Sequence, residues 1–136
     1  MDASEKRIDA VLQRMRCCID RKNFTFVDPF TNKERKKNLD FLQTYNIDTK
    51  VRLAILKSLT TKNFSEEQYD RQKEDPPYEK SLFVFGKKRT LEQRADGKKK
   101  NVLIYIKIQF FALLDGCDST LAISFHEAED DMQFMF

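Results

Sequence analysis

The stretch NVLIYIKIQFFALL, residues 101 to 114, alternates in a way that admits one backbone state. Val102, Ile104, Ile106, Ile108 and Phe110 fall on one side of a period of two, and Leu103, Tyr105, Lys107 and Gln109 on the other. Only an extended strand sends successive side chains to opposite faces, and a strand this long needs partners on its flanks. SLFVFGK (81 to 87), rich in aromatic residues, supplies one. CDSTLAISFH (117 to 126), reached through an Asp115-Gly116 turn, supplies the other. There the alternation places Leu121, Ile123 and Phe125 inward and Thr120, Ala122, Ser124 and His126 on the opposite face.

Upstream the period is that of a helix. Ile8, Leu12, Met15 and Ile19 recur at steps of four, three and four in SEKRIDAVLQRMRCCIDR, with Ser4 as the expected N-cap. NFTFV (23 to 27) reads as a short strand or extended connector ending at Asp28-Pro29. TNKERKKNLDFLQTYN reads as a second helix with Leu39, Leu42 and Tyr45 inward. IDTKVRLAILKSL reads as a third, capped by Asp48, with Val51, Ile55 and Leu59 on one face. Residues 60 to 80 lose all periodicity and contain Pro76-Pro77, which predicts a long surface loop. Helices first and strands after give an α+β expectation: two to three N-terminal helices packed on a C-terminal antiparallel sheet. A chain of 136 residues suits one domain, mainly helical over 1 to 59, a loop over 60 to 80, and sheet and tail over 81 to 136.

Several classes are excluded on the same reading. No apolar run approaches the roughly 20 residues of a membrane span, and MDASEKRIDAVLQ lacks the h-region and cleavage site of a signal peptide, so a soluble, cytoplasmic protein is expected. Cys17 and Cys18 are adjacent and Cys117 is remote, which suits neither a disulfide framework nor a zinc site. The tail motif HEAEDD lacks the i, i+4 histidines of a zinc helix, so no metal is expected there.

Charge is divided unevenly. Residues 80 to 107 hold nine Lys and Arg against Glu92 and Asp96, a balance of +7, whereas residues 108 to 136 hold six acids and no Lys or Arg. Such a basic segment neutralises phosphates and attracts polyanions such as RNA. If the three strands form a meander, the end of the first, at Lys87, lies beside Tyr105, and Tyr105 lies beside His126. Lys107 and Gln109 continue along the Tyr105 face, and the basic connection from 88 to 101 sits at the same end. An imidazole, a phenol and one or two ammonium groups are what RNA cleavage without a metal or cofactor requires. Protons must leave the ribose 2′-OH and reach the 5′-oxygen while cations hold the phosphorane. Lys87 poses a parity problem, because it shares a face with Phe83 and Phe85 unless a bulge turns it over.

LFVFGK, LIYIKI and AISFHEAEDDMQFMF, in this order after the helices, resemble the C-terminal half of the MqsR-like toxins, a branch of the RelE-fold mRNA interferases of bacterial toxin–antitoxin pairs. The resemblance is loose over residues 39 to 136 and close over 82 to 136. It implies an endoribonuclease that cleaves mRNA without a metal, leaves a 2′,3′-cyclic phosphate and a 5′-hydroxyl, and is silenced by a cognate antitoxin protein. The implied catalytic residues are Tyr105, His126, Lys87 and Lys107. His126 stands where some members carry a catalytic lysine. The basic segment, independently of the resemblance, supplies the candidate RNA-binding residues Lys88, Arg89, Lys98, Lys99 and Lys100, with Gln109 on the Tyr105 face. The insertion KRTLEQRADGKKKN is longer than the family's turn, and Lys62 is only near a lysine used by some members. Whether free or ribosome-bound mRNA is the substrate therefore stays open. The competing expectation is a non-catalytic module of the same fold that binds RNA or a protein through its basic end. Independently of either reading, the tail residues Met132, Phe134 and Phe136 alternate and are expected to tuck back as a last short strand or plug.

Overall fold

A computed structural model describes residues 1–27, 33–71 and 77–136, with the side chains of residues 33–35 left aside. Its elements are α1 (Ala3–Asp20), β1 (Phe24–Phe26), α2 (Lys33–Thr44), α3 (Thr49–Lys57), a 3-10 turn (Thr61–Asn63), β2 (Phe64–Tyr69), β3 (Tyr78–Glu92), β4 (Lys99–Ala112) and β5 (Asp118–Glu127). The class is α+β, as the sequence indicates. The Asp28-Pro29 end expected for the first strand lies outside the described residues.

The apolar stripe of α1 is as spaced: Ile8, Leu12, Met15 and Ile19 are all buried. Its start is not. Asp2, rather than Ser4, caps the helix by accepting from the Glu5 amide at 2.8 Å. Its end is a Schellman turn in which Lys22 takes a left-handed conformation (φ 62°) and the Lys22 and Asn23 amides return to the Ile19 and Cys18 carbonyls. In α2 the buried positions are Asn38, Phe41 and, just beyond its end, Tyr45, while Leu39 and Leu42 are only partly covered. Asp48 caps α3 as expected, accepting from the Val51 amide at 2.8 Å.

The sheet has five strands in the order β1-β5-β4-β3-β2. β3, β4 and β5 form the expected antiparallel meander, but β1 runs parallel to β5, so the sheet is mixed. Two further corrections follow from strand length. Residues 64 to 69, assigned to a loop by their polarity, pair with β3 as an edge strand. An edge strand buries little, so FSEEQY shows no alternation strong enough to read. β3 and β4 also run on past the expected ends, so Lys88, Arg89, Lys99 and Lys100 belong to strands and only residues 93 to 98 form the turn. Gly97 in that turn has a φ of 70°.

Helices pack on one face of the sheet. Phe83, Phe85, Ile104, Ile106, Ile108, Phe110 and Phe125 meet the stripes of α1, α2 and α3 there, and each such buried side chain contributes about 1.5–3 kcal/mol. The opposite, outer face carries Tyr105 and Lys107.

A bulge in β5 decides which residues reach that outer face. Lys107 pairs with Ser124, yet Ile108 pairs with Ala122, so Ile123 is an extra residue without a partner on β4. Before the bulge, Thr120 and Ala122 share the helix-covered face with Phe110 and Ile108. After it, Phe125 does so beside Ile106. The expectation that Leu121 and Ile123 point inward is therefore wrong. Asn38 of α2 holds the bulge closed: its amide donates to the Ile123 carbonyl at 2.9 Å and its carbonyl accepts from the Phe125 amide at 2.9 Å.

Candidate active site

With the bulge in place, His126 emerges on the outer face directly opposite Tyr105. The two rings stack at 5.3 Å between centroids and 14° between planes. Lys107, two residues along β4 on the same face, places its ammonium 5.8 Å from the centre of the Tyr105 ring. Three of the sequence candidates thus meet.

The imidazole is oriented by its own strand. Nδ1 lies 2.9 Å from the Glu127 carbonyl, and a carbonyl only accepts, so the bond there takes its hydrogen from Nδ1 and leaves Nε2 as the other ring nitrogen. Glu127 is itself held on the helix side, where Tyr45 Oη donates to Oε1 at 2.6 Å and Lys100 Nζ stands 3.6 Å from Oε2. Burial, and after it the bond to Glu127, pushes the Tyr45 phenol well above the ordinary tyrosine range.

The other candidates divide. Lys87 pairs with Ile104, so it lies on the helix side, and β3 has no bulge there to turn it over. It is removed from the cluster. Arg89, opposite Val102, shares that side, whereas Lys88, opposite Leu103, lies on the Tyr105 face. Gln109 lies on the outer face but is fully buried, donating to Asp70 Oδ2 at 2.9 Å and to the Glu79 carbonyl at 2.8 Å. It fastens the β2–β3 connection and is placed to hold no RNA. Lys98, Lys99 and Lys100 sit at the hairpin tip, and the strand rise puts Lys99 about 20 Å from Tyr105. They stand apart from the Tyr105–His126 pair.

Tyr105 and His126 lie at the floor of a cleft of about 440 Å³ whose rim is formed by Lys37, Ser65, Glu66, Val84 and the tail from Ala128 to Gln133. Residues 128 to 136 cross the outer face as irregular chain. Met132 and Phe134 pack over Gly86, so closely that a Cβ there would stand 2.7 Å from the Met132 sulfur. Phe136 stacks on Phe64 at 6.1 Å. The alternating apolar residues of the tail thus tuck back as the sequence suggests, without forming a strand.

Sequence reasoning missed Asn38, Tyr45 with Glu127, and the acids of the rim. Asn38 was in principle visible, since it is the polar member of a helical stripe with Phe41 and Tyr45. Among the described residues, no three His, Cys, Asp or Glu side chains are grouped as metal ligands, and no helix is long and apolar enough to cross a membrane. No family model, curated protein or solved structure matches the chain.

Proposed function

We propose that the chain is an endoribonuclease that needs no metal, an mRNA interferase of the MqsR-like, RelE-fold kind. The observation that carries this reading is the opposed, stacked Tyr105 and His126 with Lys107 beside them on the outer face of the sheet. The ribose 2′-oxygen attacks phosphorus as its proton passes to a base. The bond to the 5′-oxygen breaks as an acid supplies that oxygen with a proton. The products are a 2′,3′-cyclic phosphate and a 5′-hydroxyl. His126 Nε2, fixed by the bond at Nδ1, serves one transfer and the Tyr105 hydroxyl the other. Lys107 lies where it can offset the charge of the phosphorane, and Lys88 and the hairpin tip guide the flanking chain. On this reading mRNA, free or on the ribosome, is the substrate, and a cognate antitoxin protein is the inhibitor.

A second reading is favoured by the rim. Glu66, Glu129, Asp130 and Asp131 line the cleft, and carboxylates repel phosphate, which suits a non-catalytic module that binds through its basic hairpin instead.

Product chemistry separates the two. Wild type and His126→Gln are incubated with a long single-stranded RNA in EDTA and the ends analysed. Cyclic-phosphate ends from wild type alone support the nuclease with His126 in its mechanism. Equal cleavage by a folded His126→Gln removes His126. Intact RNA with both proteins, and again with a variant whose tail is loosened, supports the binding module or an enzyme that acts only on ribosome-bound mRNA.

A further inference from the structure

We infer that residues 128 to 136 are a strap that closes the Tyr105–His126 cleft and holds its carboxylates where RNA phosphates would lie; the polyanion part of this inference rests on the proposed nuclease reading.

Access is the first ground. His126 is only 5% exposed, with α2 on one side of it and the tail lining the cleft above it. A phosphodiester with its 2′-hydroxyl cannot engage Nε2 through so small an opening, so the cover must move for the proposed chemistry.

Charge is the second. Glu129, Asp130 and Asp131 stand on the rim, and Glu129 is 2.9 Å from Lys37. An acidic segment on a cation beside a phosphate-directed site acts as an intramolecular competitor for phosphate.

The seating is also of a kind that opens. Ser65 Oγ donates to the Gln133 carbonyl at 2.7 Å and the Met135 amide to the Phe64 carbonyl at 3.0 Å, both at the edge strand β2. The apolar anchors are incomplete: Phe134 remains 39% and Met135 57% exposed. A segment with no regular structure and few buried contacts opens at a lower free energy than the sheet beneath it. The close approach over Gly86 explains why glycine sits in the centre of a strand, where it otherwise weakens pairing. Its side chain is absent where the strap crosses.

The chain has a single histidine, so the ultraviolet absorbance of N-carbethoxyimidazole formed by diethyl pyrocarbonate reports on His126 alone. Gly86→Val drives a side chain into Met132 and Phe134. Met132→Ala/Phe134→Ala removes the same anchors and adds nothing to the sheet. Either variant is expected to raise the modification rate by about tenfold or more, a decade in the population of the open strap. A 2′-O-methyl oligoribonucleotide, which cannot be cleaved through its 2′-oxygen, then protects His126 in the loosened variants and binds them more tightly than wild type. Unchanged modification rates in both folded variants would overturn the strap. Faster modification without protection would leave the strap standing and overturn RNA as its competitor, and with it the nuclease reading.

Discussion

Replacing Asn38 with alanine tests the device that aims His126. The Asn38 side chain is 7% exposed as a residue and makes two hydrogen bonds to the β5 backbone, one on each side of Ser124. Alanine leaves the Ile123 carbonyl and the Phe125 amide without that partner. Each buried group left unsatisfied costs about 1–3 kcal/mol, so the two together predict a loss of about 2–6 kcal/mol. The consequence for the site is separable from the loss of stability. Without the extra residue, the pairing of Ile108 with Ala122 would continue as Lys107 with Ile123 and Tyr105 with Phe125, turning His126 toward the helices. Urea unfolding measures the first effect as a fall in midpoint at constant slope. Proton NMR measures the second, because the single imidazole gives nuclear Overhauser contacts to the Tyr105 ring only while the two stack. A variant that unfolds at the wild-type urea concentration would refute the energetic argument. Retained His126–Tyr105 contacts in a destabilised variant would show that the bulge holds without α2.

Three further outcomes follow from local geometry. Lys22→Gly relieves a left-handed residue at the end of α1 and is expected to raise stability by about 0.5–1 kcal/mol in thermal or urea unfolding. Glu67 titrates below the ordinary glutamate value, chiefly because Arg7 donates to it. Its folded pKa is thus lower than its unfolded one, and the stability it contributes is present above pH 4.5 and lost as pH falls through the folded value. Because the Arg7 side chain is 54% exposed, that contribution is under about 1 kcal/mol, and Glu67→Gln should flatten the acid limb of stability against pH by no more than this. A thiol reagent should label Cys17 and Cys117, which are exposed, well before Cys18, which is buried and whose thiol burial pushes upward; equal rates at all three would contradict the packing of α1 on β5.

What the sequence could convey depended on how local the cause was. The stripe of α1 and the long alternation of β4 are written in consecutive residues, and both stand in the structure. So does the opposition of Tyr105 and His126, because parity within the last four residues of β5 is a local matter. The assignment of Leu121 and Ile123 failed for the complementary reason. Their faces are reversed by one extra residue, and the group that accommodates it, Asn38, lies more than eighty positions upstream on a helix. No period in β5 could announce that. Lys87 is the mirror case: a bulge would have carried it to the Tyr105 face, but the irregularities of β3 fall elsewhere, so it stays opposite Ile104. The place of the tail acids on the rim depends on where an irregular segment settles, and that is fixed by Gly86, Phe64 and Ser65, each more than forty residues away. The candidate site is therefore two kinds of object. Its floor is a register effect of the meander, legible from alternation, whereas its aim and its cover come from α2 and the tail, contacts between distant segments that only the folded chain brings together.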